Sequence, residues 1–296
     1  MLEIVEVSPR DGLQNESSIL STTDKVALID LALAAGLRRI EVASFVNPRR
    51  VPQMADAEAV LEALRGRQGL VRIGLVLNRR GLDRALRAGV DEINFAVATS
   101  EAFAARNQGS SVAGLLESFA EVAAISRQEN VPVTATITTA FGCPFEGEVD
   151  PARVDAVVEA VAAHKPDEIA LADTIGVAAP GDVVCRFGGA AKSAPGVRLR
   201  GHFHNTRNTG LANAYAAVLC GVQVLDSSIG GIGGCPFAPA ATGNVPTEDL
   251  AYMLQRMGFV PSLNLGALIE ASSWLPDKLG HPIPGLLARA GLFPPQ

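Results

Sequence analysis

Eight short apolar runs recur along the chain at intervals of roughly 30 residues, the length of one strand–helix unit. No other feature constrains the fold as much. The runs are EIVEVS, RIEVASF, VRIGLVL, EINFAVA, VPVTATITT, EIALAD, RLRGHFH and VQVLDSS, starting near residues 3, 39, 71, 92, 131, 168, 198 and 222. Amphipathic, Ala- and Leu-rich stretches separate them, among them 23–36, 55–66, 110–128, 151–164 and 208–220. Thr22 or Thr23, Ser110 or Ser111, and Asp150 followed by Pro151 are placed to cap helices. Gly36, Gly89 and Gly221 are placed to end them. Continuous apolar strands suit a parallel sheet covered by helices. Eight βα units within about 250 residues is the number that closes a (β/α)8 TIM barrel. An open doubly wound sheet is the competing arrangement, but SPRDGLQNE follows the first strand where a G-x-G-x-x-G turn would be needed. The expectation is one domain over 1–296: a barrel to about 258, then a Pro-punctuated helical extension from about 259 to 296 packed outside it.

Composition narrows the function. With 25 basic against 31 acidic residues the net charge is −6, which argues against a nucleic-acid partner. No apolar run reaches the ~18 residues a membrane span needs, since LIDLALAAGL carries Asp30. Four scattered cysteines with no C-x-x-C exclude a disulfide scaffold and a zinc ribbon. The start has no signal-peptide pattern, so a reducing cytoplasm is the expected compartment.

In such a barrel the chemistry gathers at the C-terminal ends of the strands. Two of the four histidines, His202 and His204, stand at i and i+2 at the end of the seventh strand, so both imidazoles face one way and Phe203 the other. Asp11, in Ser8-Pro9-Arg10-Asp11-Gly12, ends the first strand. In a closed barrel strands one and seven both flank strand eight, which brings Asp11 to the histidines. One carboxylate and two imidazoles form a ligand set for a divalent metal, including the non-haem iron type, and Asn244 after strand eight is placed to add a fourth atom. The loop GGIGGCPF carries Cys235 among glycines that let backbone fold over a ligand, and a tuned thiol is an acid or base. Glu41 is an acid inside an apolar strand, which needs a partner such as Arg10 or a task as a base. Asp173 ends strand six, as an N-cap or as part of the site. Arg79 and Arg80 follow strand three, where they meet phosphates or only solubilise.

SPRDGLQNE, IEVASFVNPRRVPQMAD, GCPFEG, LADTIGV and SSIGGIGGCPFAPAATGNVPTEDLAYML together resemble the 3-hydroxy-3-methylglutaryl-CoA lyase family of barrel-fold, metal-dependent lyases, from strand one to about residue 275. The resemblance implies a metal held by Asp11, His202, His204 and Asn244, with Mg²⁺ or Mn²⁺ as the cation. Arg10 would polarise the thioester carbonyl, Glu41 would belong to the catalytic shell, Cys235 would be the loop thiol and Asp173 would support proton transfer. The substrate would be an acyl-CoA, with Arg80 on a CoA phosphate, and the assembly a homo-oligomer, dimer or higher. Relatives cleaving citramalyl-CoA, longer branched hydroxyacyl-CoA thioesters or 4-hydroxy-2-oxo acids are the alternatives, and a barrel that only binds its ligand is a further one. Three places depart from the family. Ser8 replaces a usual Gly, Ser17 a frequent Lys, and Asn205-Thr206-Arg207-Asn208-Thr209 stands where D-T-Y-G-Q is typical. There Arg207 would either grip an acyl carboxylate bidentately or turn outward to pair with an acid.

Overall fold

In a computed structural model describing residues 2–234, 243–260 and 263–294, each of the eight runs forms a strand. They are β1 (Glu3–Glu6), β2 (Arg39–Ser44), β3 (Val71–Val76), β4 (Glu92–Ala98), β5 (Val133–Thr138), β6 (Glu168–Asp173), β7 (Arg198–Phe203) and β8 (Val224–Ser227). All pairings are parallel and run in chain order, and β1 pairs with both β2 and β8, which closes the barrel. The helices are α1 (Thr22–Ala34), α2 (Ala57–Ala63), α3 (Arg79–Ala88), α4 (Glu101–Gln108), α5 (Val112–Gln128), α6 (Pro151–Ala162), α7 (Pro180–Ser193), α8 (Gly210–Leu219) and α9 (Thr247–Arg256). α10 (Leu265–Leu279) follows, packed beside α1 and α9, and then a single turn, α11 (Leu287–Ala290).

Local chemistry places most helix starts where the spacing put them. Ser111 and Asp150 accept hydrogen bonds from the N–H groups of Gly114 and Ala152. At α1 the cap is Ser21 rather than Thr22 or Thr23. Its backbone is extended and its hydroxyl accepts from the Asp24 N–H at 3.1 Å, while both threonines already lie in the first turn. α4 was not anticipated: Ser100 caps this short helix at the Phe103 N–H, and Gly109 ends it in the left-handed region.

Two apolar clusters divide the core. The larger lies between strands and helices and includes Leu28, Phe95, Phe119, Phe187 and Leu225. Val5, Val7, Ile73 and Val224 form a small separate one, on the alternate strand positions that face the lumen. The rest of the lumen is ionic. Arg39 bonds Glu3, Glu92 and Glu168, and Arg200, fully buried, bonds Glu168 and Asp226. The lumen faces of the strands are therefore less apolar than continuous hydrophobic runs suggest.

Beneath the loop after β8 lie two buried acids. Glu6 accepts from the N–H groups of Ser8 and Ile229 and from the Thr247 hydroxyl, and Glu248 accepts from the Gly230 N–H. Burial, with Asp249 and Glu6 nearby, raises the Glu248 pKa to about 8 against an ordinary 4.5. The folded protein thus keeps a proton there that the unfolded chain loses above pH 4.5. The stability tied to that proton is complete below 4.5 and is lost as pH rises to about 8. Glu248→Gln should raise Tm at pH 8.5, on the order of 5 °C, with the gain vanishing near pH 4.5. Thermal melts of both proteins across that range test this, and a gain that does not change with pH refutes it.

Candidate active site

The site is built at the C-terminal mouth of the barrel. After β1 the chain makes one wide π-type turn over Ser8–Gly12, a geometry frequent at functional sites, and the turn aims Arg10 and Asp11 inward. Gly12 is required there, since a Cβ would stand 2.8 Å from the Ile232 side chain. β7 presents His202, and His204 follows it, with ring centroids 5.2 Å apart. Phe203 turns outward onto Phe141 and Phe187, as strand alternation requires. The segment from 243 threads beside the ends of β7 and β8, bridging His204 to Asn244 and Ser228 to Pro246. Gly233 lets it pass: φ is +106°, and a Cβ would lie 2.6 Å from Asn244 Nδ2.

The ligand atoms of Asp11, His202 and His204 lie within 4.8 Å of one another. Asn244 Nδ2 donates to Asp11 Oδ2 at 2.8 Å. Asn244 Oδ1 and His204 Nδ1 are both buried with no hydrogen-bond partner among the described residues. Orphaned buried acceptors are costly, and a bound divalent cation would offset the crowding of ligand atoms and give Asn244 Oδ1 a partner, so these residues fit one. Burial would raise the Asp11 pKa, but Arg10, the two histidines and the Asn244 bond outweigh it and hold the carboxyl at about 2. Burial and the neighbouring His202 push His204 down to about 4, leaving it a neutral donor at pH 7.

Asp226 is a residue that sequence reasoning missed. Its Oδ2 lies 3.0 Å from His202 Nδ1 and its other oxygen takes the Arg200 guanidinium. A carboxylate on the far nitrogen of a ligating histidine fixes its tautomer and aims the other nitrogen at the ion. An acid inside the apolar run VQVLDSS was the available signal, the same one that picked out Glu41.

Arg10 donates to Asp11 at 2.8 Å and to Glu41 Oε2 at 2.7 Å. Glu41, fully buried, accepts on Oε1 from Asn94 Nδ2, whose own oxygen takes the Thr136 hydroxyl at 2.7 Å. Of the two roles open to Glu41, the structure shows the pairing with Arg10. Asp173 accepts backbone N–H bonds from Val177 and Ala178 at 2.9 and 3.0 Å, so its carboxylate organises the turn after β6. Cys235 lies outside the described residues. Just before it, the Gly234 carbonyl accepts from Asn15 Nδ2 at 2.7 Å, tying the loop to the turn after β1.

Arg207 does not face the acyl site. It is exposed, lies outside the cavity lining and donates to the carbonyls of Ile175 and Gly176, not to an acid. The reason is local: Asn205, in the place of the family's Asp, accepts from the Gly210 N–H at the start of α8, and the chain then carries Arg207 toward the β6 loop. Arg79 is also committed elsewhere, to Asp83 and Glu121.

A cavity of about 1360 Å³ opens from the Asp11–histidine cluster to a rim holding Arg49, Arg50, Arg80, Arg84 and Arg106. Arg84 is paired with Glu58 and Arg106 lies over the Phe145 ring. Arg49, Arg50 and Arg80 have no ion-pair partner among the described residues and offer a cationic edge to an anionic ligand. No described helix is long and apolar enough to cross a membrane.

The family model described as HMGL-like matches residues 1–275. An (R)-citramalyl-CoA lyase of Chloroflexus aurantiacus is 42% identical, over 99% of this chain and 96% of that protein. A 3-hydroxy-3-isohexenylglutaryl-CoA/hydroxy-methylglutaryl-CoA lyase of Pseudomonas aeruginosa is also 42% identical, over 94% and 93%. The structure of an HMG-CoA lyase from Acinetobacter baumannii, in complex with coenzyme A and 3-methylmalate, superposes with a TM-score of 0.94 at 37% identity, covering 99% of this chain and 96% of that one.

Proposed function

Because this chain belongs to the HMGL-like family, we propose that it is a carbon–carbon lyase cleaving 3-hydroxy-3-methylglutaryl-CoA to acetyl-CoA and acetoacetate. The observation that carries this is the cluster of Asp11, His202 and His204, beside Arg10, at the inner end of a cavity with a cationic rim. That arrangement suits a ligand with a chelating head and a phosphorylated tail.

The reaction is redox-neutral. A general base takes the C3 hydroxyl proton, C3 becomes the ketone of acetoacetate as the C2–C3 electron pair passes into the thioester as an enolate, and C2 takes a proton. A divalent cation held by Asp11, His202, His204 and Asn244, Mg²⁺ or Mn²⁺ by our proposal, would lower the pKa of the hydroxyl and orient it. Arg10 stabilises the enolate oxygen as negative charge develops there. Glu41 and Asn94 hold the guanidinium in place, which makes Glu41 a positioning residue. Cys235, on the glycine loop, is assigned the proton delivered to C2. Asp173 holds the β6 loop at the edge of the site. A homo-oligomer in the cytoplasm is the proposed setting.

The direct test is to follow acetyl-CoA and acetoacetate from 3-hydroxy-3-methylglutaryl-CoA with added Mg²⁺ or Mn²⁺; absence of both products refutes the reading. The CoA arm has its own test. Arg80→Glu should raise KM for the CoA thioester roughly tenfold by losing a charge-assisted phosphate contact, while leaving KM for the pantetheine thioester, which lacks the nucleotide phosphates, nearly unchanged. Equal effects on both substrates would remove Arg80 from the phosphate site.

A further inference from the structure

Arg200 stands two residues before His202 on β7, so strand alternation turns both side chains into the lumen. His202 and Asp226 line the cavity, whereas Arg200 and Glu168, set further toward the N-terminal ends of β7 and β6, do not. Three contacts join the two levels. Asp226 Oδ2 lies 3.0 Å from His202 Nδ1, its Oδ1 accepts from Arg200 Nε, and Arg200 Nη1 donates to Glu168 Oε1 at 3.3 Å. Glu168 is itself held by Arg39, at 3.3 Å on each oxygen, and by the Thr134 hydroxyl at 3.3 Å. Nη2 of Arg200 is buried and has no hydrogen-bond partner among the described residues, so the guanidinium is placed by those two carboxylates.

Barrel interiors are ordinarily packed with branched apolar side chains, and Val5, Val7, Ile73 and Val224 supply only a small cluster of that kind here. A buried ion pair is a weak source of stability, because taking both charges out of water offsets their attraction. What this one supplies is direction. With one Asp226 oxygen fixed by the guanidinium, the other is aimed at His202 Nδ1, which leaves Nε2 for an ion. Resting on the metal site proposed above, we infer that Arg200 is a positioning residue of that site, acting through Asp226 and His202 and anchored by Glu168. Lysine is no substitute, since a single ammonium on a flexible stem lacks the planar fork that bridges two carboxylates.

The experiment titrates the purified protein with Mn²⁺ in the absence of substrate. Binding is followed by the loss of the free-ion signal in electron paramagnetic resonance, and Tm is recorded for every variant. Arg200→Lys should raise the Kd for Mn²⁺ roughly tenfold, the lower end of the loss when an outer partner of a ligating histidine is disturbed. Glu168→Gln spares the contact between Arg200 and Asp226, which guards against misfolding, and should raise Kd by a smaller factor. Repeating both substitutions in an Asp226→Asn background separates positioning from general loosening. There each should shift Kd by less than about twofold, since the route to the histidine is already cut. An unchanged Kd in every folded variant, or equal shifts with and without the Asp226 carboxylate, overturns the role of Arg200. Wild type that binds no Mn²⁺ overturns the metal site itself.

Discussion

Turnover is expected to disappear when Asp11 is replaced by Asn or His202 by Ala, and when the wild-type protein is dialysed against a chelator. The three ligand atoms already sit within 4.8 Å of one another, so each substitution removes one point of an assembled site. A bound cation contributes several kcal/mol of charge stabilisation, and about 4 kcal/mol corresponds to a factor of ~10³ in rate. A loss of that size or more is the expected outcome. Asp226→Asn separates holding the ion from aiming a ligand. Its loss should weaken metal affinity by ~10–100-fold, and added Mg²⁺ or Mn²⁺ should restore the rate, whereas Asp11→Asn should not respond. Calorimetric titration of the ion beside the rate assay distinguishes the two. Full turnover after exhaustive chelation would remove the metal from the mechanism.

Arg10→Met should lower kcat by ~10²–10³, the usual loss on removing a donor to a developing oxyanion. The same substitution should also destabilise the protein. It strands Glu41, fully buried, without the guanidinium at 2.7 Å, and breaking a buried pair from one side costs ~3–5 kcal/mol. Adding Glu41→Gln removes the stranded charge. The double variant should regain most of the lost Tm but none of the lost rate, because the oxyanion still has no partner. Measuring kcat and Tm for the single and double variants decides the matter, and recovery of both together would make Arg10 purely structural.

The barrel was legible because its signals are local and repeat. Continuous apolar runs, helix stretches and caps such as Ser111 and Asp150 act over a few residues, and eight repeats leave few ways to close a sheet. The pairing of His202 with His204 was equally readable, since strand alternation alone puts them on one face. The approach of Asp11 followed from strand order once closure was assumed.

Tertiary structure decided which polar groups meet. Arg10 and Glu41 are 31 residues apart, His202 and Asp226 are 24 apart, and Asn94 reaches Glu41 across 53. For Glu41 the sequence offered Arg10 beside a role as a base and did not choose between them, and nothing in the neighbourhood of His202 or Glu41 names Asp226 or Asn94. Arg207 shows the reverse: it looks like a site residue in the sequence, yet carbonyls of the β6 loop take its guanidinium. Sequence periodicity determined the barrel and the face on which each strand residue stands. A buried charge must find compensation wherever the fold brings it, so the partners of these side chains were settled only when distant loops converged on the same mouth.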